Sequence, residues 1–191
     1  NLDDQGHCRT VSLTPVPAFV VPSVETIGFA PDSVEAQALS LDRLSRLDSA
    51  PGEVLPLLDA FVGAFSEWVV GQEARVDSFG AQREAAQSIV MRSRLAVERM
   101  EASVNMLRDP ENAALRRAFA LGMAAMRLQM RQASINRGGG ETEPTWRAFQ
   151  LGFLLVSLAS TIDDHHSDRE TVDLIWFPTG GGKTEAYLGL A

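Results

Sequence analysis

The residues of this sequence with the clearest chemical capability form the run Pro178-Thr179-Gly180-Gly181-Gly182-Lys183-Thr184. Glycines let a backbone turn with its N–H groups pointing inward around a polyphosphate, and a helix that begins at the loop's end adds its positive terminus. A lysine here reaches the β- and γ-phosphates, and the hydroxyl of the following threonine binds Mg²⁺. The run therefore predicts a phosphate-binding loop (P-loop, or Walker A motif) for ATP and Mg²⁺.

The lysine of this loop supports the prediction. Lys183 is the only lysine among 17 basic residues, the others all being arginine. A lysine is a compact point charge on a flexible stem, whereas arginine presents a planar fork of donors, so a chain that otherwise uses arginine indicates a need for an ammonium here. We expect Lys183 to be the catalytic residue and Thr184 to be the Mg²⁺ ligand. The predicted nucleotide-binding residues are Thr179, Gly180, Gly181, Gly182, Lys183 and Thr184.

The elements on either side of the loop have the order that a P-loop requires. Residues 172–177 are mostly apolar and predict a short buried strand, and residues 185–191 predict a helix beginning at the loop's end. A glycine-rich turn that merely connects a strand and a helix is the alternative. The unique lysine and both flanking elements favour the P-loop.

Composition limits the class of protein. The chain has 191 residues and 20.7 kDa, of which 45% are hydrophobic and 22% charged, which excludes collagen, a disulfide scaffold and wholesale disorder. A single cysteine, Cys8, excludes an intramolecular disulfide, and no apolar run is long enough to predict a membrane span. We therefore expect a reducing, cytoplasmic setting and no membrane partner.

Charge is distributed unevenly along the chain. The net charge is −8, yet residues 83–137 carry 10 basic and 5 acidic side chains. The acidic total argues against non-specific nucleic-acid binding by the whole chain, while the basic segment leaves a local DNA contact open. Arg116 and Arg117 are candidates for such a contact, and ordinary helix-surface charges are the alternative.

Periodicity divides the chain into four parts. The proline-containing residues 1–52 predict an extended, partly ordered arm, 53–137 a helical domain, 138–144 a linker, and 145–191 the start of a second unit. The helical domain is expected to contain a helix with one apolar stripe that ends before Gly80, a second helix packed along it, and a third beginning at Asp109-Pro110. The apolar seam of the second helix is predicted to be Val90, Val97, Met100, Val104 and Leu107, and one face of the third to be Leu115, Phe119, Met126 and Met130. A fourth, buried helix runs from Trp146 to about Ser160 with Thr145 as its cap.

The polar loop after this fourth helix is a candidate metal site. It contains Asp163, Asp164, His165, His166 and Asp168. Their spacing fits no structural zinc pattern, so a solvated loop is favoured over a metal site.

Two stretches resemble a known family. The loop departs from GxxxxGK[ST], since Phe177 stands five positions before Gly182, and fits the helicase form Pro-Thr-Gly-any-Gly-Lys-Thr. With the upstream run Trp146-Arg147-Ala148-Phe149-Gln150 and the downstream run Glu185-Ala186-Tyr187-Leu188-Gly189, it resembles the DrmA family, the superfamily-two helicase-like ATPases of the DISARM anti-phage (antiviral) defence system. The resemblance is close over 146–191 and looser back to Leu55.

The resemblance implies a function and partners. It implies ATP hydrolysis coupled to DNA engagement, by a DNA helicase or translocase that acts with a DrmB-like defence protein. It also aligns Gln150 with the glutamine that reads adenine in such motors. The alternative for Gln150 is a helix residue with a solvated amide, and the residues leave both open.

The predicted fold is mainly α: an N-terminal helical domain followed by the first strand, P-loop and helix of an incomplete α/β RecA-like motor lobe. Such an ATPase also needs a Walker B carboxylate, which this sequence does not offer. We expect the complete protein to be an enzyme and these 191 residues alone to hydrolyse no ATP. The rival hypothesis is a non-catalytic helical module that docks DNA or a partner and carries a remnant P-loop.

Overall fold

The computed structural model describes residues 5, 7, 28–140, 142–176 and 181–191. Across these residues the chain is mainly helical, as predicted. The helices are α1 (Val34–Ala38), α2 (Leu41–Leu44), α3 (Pro51–Glu73), α4 (Arg83–Arg108), α5 (Ala113–Asn136), α6 (Ala148–Ile162) and α7 (Lys183–Leu190), with 3₁₀ turns at Val76–Gln82 and Pro110–Asn112.

The prediction of an extended arm over 1–52 is wrong for its described C-terminal part. Serine caps start both short helices: Ser33 Oγ accepts from the Ala36 N–H at 3.1 Å, and Ser40 Oγ accepts from the Arg43 N–H at 3.3 Å. Four apolar residues recur every third position and are fully buried, namely Ala38, Leu41, Leu44 and Leu47. Helices of four and five residues are too short to show the sustained apolar periodicity that predicts a helix from the sequence.

Helix α3 has the expected apolar stripe. Its buried residues are Val54, Leu57, Leu58, Phe61, Val62 and Val69. The helix ends at Glu73, and a 3₁₀ turn continues to Gly80, whose φ of +51° reverses the chain. In the described part of the chain α3 alone has the length and apolar content to cross a membrane; a core helix passes the same test, and this one packs against α1 and α4.

Helix α4 is central because it packs against α3 on one side and α6 on the other. The predicted seam is confirmed: Val90, Val97, Met100, Val104 and Leu107 are all buried. These residues recur at near-heptad spacing, which keeps one face of a long helix toward its neighbours.

Helix α5 begins where the sequence indicated. Asp109 Oδ1 accepts from the Glu111 N–H at 2.9 Å, and Pro110 occupies the first position of the 3₁₀ turn that leads into the helix. Phe119 and Met126 of the predicted face are buried, and Leu115 and Met130 are packed at its margin. The opposite face of α5 is exposed.

The fourth predicted helix starts two residues later than expected. Arg147, not Thr145, is the residue that precedes α6, and Thr145 instead forms an isolated antiparallel bridge with Ser40. The Trp146 N–H donates to the Leu39 carbonyl at 2.8 Å, and the Trp146 ring is buried. Burial of this large ring holds residues 145–147 extended against α2, so the helix cannot begin before it.

Residues 138–144 connect helices that share one core. Leu151, Leu154, Leu155 and Leu158 of α6 belong to the same hydrophobic cluster as the buried residues of α3, α4 and α5. The predicted linker therefore does not separate two independent cores in the described structure.

The strand predicted at 172–177 is wrong over its described residues. Positions 171–176 carry no regular secondary structure, and Val172, Leu174 and Trp176 are 91%, 86% and 68% exposed. A β-strand exists only by pairing with another strand, and the described residues contain none to pair with. Assignment of 145–191 to a RecA-like lobe stays a prediction.

Candidate functional site: a glycine loop at the start of α7

Part of the predicted phosphate loop is described. Gly181, Gly182, Lys183 and Thr184 lie at the N-terminus of α7, which begins at Lys183 as the sequence predicted. Phe177, Pro178, Thr179 and Gly180 lie outside the described residues. Of the predicted nucleotide ligands, the structure therefore brings together the C-terminal half of the loop.

Gly182 has a conformation that favours glycine. Its φ of +87° places it in the left-handed region, where a side chain is strained. A Cβ built on Gly182 would also lie 2.6 Å from Gln150 Nε2. The third glycine of the run is thus required both by its backbone angle and by the approach of α6.

Gln150 joins α6 to this loop. Its side chain is only 3% exposed; Nε2 donates to the Gly182 carbonyl at 2.7 Å, and Oε1 accepts from the Arg147 N–H at 2.8 Å. The alternative of a solvated amide is therefore wrong. The residue lies beside the loop, and its role toward adenine stays a prediction.

Arg147 also contacts the glycine loop, and the sequence did not predict this contact. Its side chain donates from Nη1 to the Gly181 carbonyl at 3.0 Å. Arg147 belongs to the run Trp146-Arg147-Ala148-Phe149-Gln150, on which the family resemblance partly rests. Residue type and position beside a helix start do not predict which group its guanidinium binds.

These two hydrogen bonds fix the direction of the loop's donors. The carbonyls of Gly181 and Gly182 both point toward α6, and the described peptide bonds are trans. In a planar trans peptide the N–H points opposite to the C=O. The N–H groups of Gly182 and Lys183 therefore point away from α6, at the positive end of α7, which is the orientation that an anion requires.

Helix α7 rests on α5 and α6. Ala186 is buried, and a Cβ on Gly189 would lie 3.0 Å from Trp146 Cζ2. Trp146 in turn donates from Nε1 to Met123 Sδ at 3.3 Å. Tyr187 meets Phe153 of α6 edge to face, with ring centroids 5.4 Å apart. The axis of α7 is thus set by packing against α5 and α6.

An ion pair holds the segment that leads into the loop. Arg99 of α4 binds both carboxylate oxygens of Asp173 at 2.8 Å, and Asp168 Oδ2 lies 3.4 Å from Arg99 Nε. The Arg99 side chain is 11% exposed. The hydrogen bonds that Arg99 donates to the Asp173 carboxylate raise the pKa of Arg99, so the guanidinium stays charged throughout the ordinary pH range. Asp173 is the anchored residue between exposed Val172 and Leu174.

The polar loop after α6 is held by local hydrogen bonds. Asp163 Oδ1 accepts from the His165 N–H at 2.9 Å, and His166 Nδ1 accepts from the Asp168 N–H at 3.1 Å. Arg169 donates to the Ser160 and Thr161 carbonyls and so caps the end of α6. In the part of the chain that the structure describes, no three His, Cys, Asp or Glu side chains are arranged to hold a metal ion.

The two arginines proposed for DNA contact differ. Arg116 Nη1 donates to the Asp109 carbonyl at 2.5 Å, at the end of α4, so it joins two helices. Arg117 is exposed on α5. The structure thus gives Arg116 an intramolecular role and leaves Arg117 at the surface.

Comparison with known proteins shows a similarity to a DISARM protein. The chain is 33% identical over 147 residues, 72% of its length, to the DISARM protein DrmA of Bacillus paralicheniformis. It spans only 13% of the length of that relative. No family model matches the chain. The similarity relates this chain to DrmA over most of its own length.

Proposed function

We propose that this chain, as a relative of DrmA, forms the N-terminal, nucleotide-binding part of an ATP-dependent DNA helicase or translocase in a cytoplasmic DISARM anti-phage system. The observation that carries the proposal is the pair of hydrogen bonds from Arg147 and Gln150 to the Gly181 and Gly182 carbonyls. Those bonds turn two consecutive loop N–H groups outward beside the only lysine of the chain. Glycine conformation, donor direction and cation thus agree at one helix terminus.

The described residues fit ATP and Mg²⁺. The loop N–H groups of Gly182 and Lys183 bind phosphate oxygens, the Lys183 ammonium neutralises the β- and γ-phosphates, and the exposed Thr184 hydroxyl is a Mg²⁺ ligand. Thr179 and Gly180 complete the loop in this proposal. Mg²⁺ supplies charge neutralisation on the transferred phosphoryl group when it is bound.

Gln150 has capacity left for a base. Its amide has two donors and two acceptor lone pairs, and the structure uses one of each. Adenine carries one acceptor and one donor side by side on its edge, and in the proposal it would use the remaining N–H and lone pair once nucleotide binding opens a path to this amide, which is 3% exposed here. The two intramolecular bonds then hold the amide in one orientation.

Hydrolysis requires a further carboxylate to bind Mg²⁺ and orient water. Asp173, ten positions before Lys183, is committed to Arg99 on both oxygens. We therefore propose that these 191 residues bind nucleotide without turning it over. In a longer protein that contains them, a Walker B carboxylate, DNA and a DrmB-like partner complete the activity.

The test uses nucleotide affinity and turnover together. A fluorescent ATP analogue with Mg²⁺ is titrated onto this chain and onto the Lys183→Ala variant, with Arg137→Ala, at an exposed cation that is also next to a glycine, as the control. We expect binding to be lost in Lys183→Ala and kept in Arg137→Ala. In the longer protein, Lys183→Ala should abolish DNA-stimulated ATP turnover.

Two outcomes contradict the proposal. Equal nucleotide affinity in the parent and Lys183→Ala chains would remove the loop as the binding site. Binding that is absent from the parent and from the longer protein would instead favour the non-catalytic docking module with a remnant P-loop.

A further inference from the structure

Helix α5 has a second apolar stripe on the face turned away from the core. Its members follow one another at alternating spacings of four and three, which keeps them on one line along the helix. We call them the outer seam, in which every member except Gln132 is apolar: Ala114, Ala118, Leu121, Ala125, Leu128, Gln132 and Ile135. All seven are exposed, with Leu121 62%, Leu128 67% and Ile135 49% accessible. At a rise of about 1.5 Å per residue the seam is about 32 Å long.

The charges of α5 make this exposure unusual. The helix contains four arginines and no acidic residue. Arg116 binds carbonyls at the end of α4, and Arg127 and Arg131 pair with Glu143. A solvent-facing helix surface ordinarily carries alternating opposite charges, and the outer seam carries none.

The shape of the seam indicates what packs on it. Leu121 lies between Ala118 and Ala125, so on this half of the seam a large side chain is flanked by positions where another backbone can approach closely. Alternating four-three spacing is the pattern by which two helices interlock along their length. DNA offers a charged backbone and does not cover a leucine stripe. The surface fits an amphipathic helix.

The charges beside the outer seam favour a helix from a different protein over a second copy of this chain as its partner. Arg117 lies beside the seam and is exposed. If two copies paired through α5, Arg117 would meet no carboxylate, because this helix contains no acidic residue. A helix with acidic residues beside its apolar stripe would meet Arg117 favourably.

We propose that the outer seam of α5 is a docking surface for an amphipathic helix that carries leucine and alanine on one stripe and glutamate or aspartate beside it. This surface lies on a different helix from the glycine loop and does not depend on nucleotide binding. It gives the chain a protein-binding function alongside the proposed ATPase role.

The test uses two designed peptides as probes. Both carry a Leu/Ala stripe at four-three spacing over 24 positions; one has glutamate and the other lysine at the flanking positions. Binding of each labelled peptide to the whole chain is followed by fluorescence anisotropy. We expect the glutamate peptide to bind, and Leu121→Glu and Leu128→Glu each to weaken its affinity at least about tenfold.

Matched variants separate docking from folding. Ile89→Glu adds the same charge at a residue of α4 that is 61% exposed, and should leave peptide affinity unchanged. Arg117→Glu should weaken binding of the glutamate peptide and strengthen binding of the lysine peptide. Circular dichroism of each variant checks that helix content is preserved.

Three results overturn the proposal. Failure of both peptides to bind removes the seam as a helix-docking surface. Equal affinity for the two peptides removes the acidic requirement. Self-association of the parent chain in sedimentation, lost in Leu128→Glu, assigns the seam to a second copy instead.

Discussion

The helical core and the glycine-loop end of the chain are held by different forces. In the core, long side chains such as Leu107, Met123 and Leu155 are fully buried among α2 to α7. Residues 171–176 bury little, and their alternate apolar side chains face solvent, whereas α7 packs on α5 and α6 through Ala186 and Gly189. Polar contacts hold this end: Arg99 to Asp173 in front of the loop, and Arg147 and Gln150 behind it.

Apolar burial and hydrogen bonding have different effects: burial stabilises the fold, and the hydrogen bonds set the geometry of the loop. Burial is non-directional and scales with apolar area, so it stabilises the helices without orienting individual backbone groups. Hydrogen bonds are directional, so two of them suffice to point the loop N–H groups outward. Substitutions in the core should therefore change the free energy of unfolding, and substitutions at the polar contacts should also change nucleotide affinity.

The largest expected effect tests the core half of this comparison. Leu155→Ala removes a fully buried side chain of α6, and should lower the free energy of unfolding by about 2–5 kcal/mol. Leu95→Ala, at a position of α4 that is 51% exposed, is the matched control and should change it by less than about 0.5 kcal/mol. Urea denaturation measures both. Similar small losses in the two variants would show that α6 is not part of the core.

An intermediate effect tests the contact between the two regions. Arg99→Gln leaves Asp173 and Asp168 facing each other without a cation, and should cost about 2 kcal/mol because the pair is mostly buried. Arg94→Gln, also on α4, breaks an exposed pair with Glu73 of α3 and should cost about 0–1 kcal/mol.

Nucleotide affinity sharpens this second result. If Arg99 also positions the loop, Arg99→Gln weakens binding of the fluorescent ATP analogue, and Arg99→Lys, which keeps the charge but loses the two-point contact with Asp173, restores binding in part. Unchanged affinity in a destabilised Arg99→Gln chain would assign the ion pair to the core alone.

The smallest effect on stability tests the loop itself. Gly182→Ala forces a left-handed alanine and a clash with Gln150 Nε2, and should cost about 1–2 kcal/mol. Affinity for nucleotide should fall more than stability does, because the strain moves the donors. Gly140→Ala, where an added Cβ meets nothing within 4 Å, is the control. A Gly182→Ala chain with the nucleotide affinity of the parent would show that the positive φ of Gly182 is not needed for binding.

Much of the fold was accessible from local patterns. The spacing of Val90, Val97 and Val104 predicted the buried face of α4, and Asp109-Pro110 predicted the start of the turn before α5, because these signals lie within one element. The helix after Lys183 was predicted in the same way. Short helices could not be predicted in this way, because the four residues of α2 are too few to show an apolar repeat.

Long-range contacts were not accessible. Thr145 had the type of a helix cap, yet burial of Trp146 moved the start of α6 to Ala148. Val172 and Leu174 had the pattern of a strand, yet a strand needs a partner, and the described residues provide none. The preference of a residue type for a helix cap or a strand is weak, and tertiary packing overrides it.

The sequence by itself determined the helical stripes, the glycine run and the single lysine at the start of a helix, because residue type and spacing carry that information. Only the tertiary structure decided that Gln150 and Arg147 bind two consecutive loop carbonyls, and that Arg99 holds Asp173. Those contacts join residues 32, 34 and 74 positions apart. Their geometry depends on how α4, α6 and α7 pack, which no local pattern encodes.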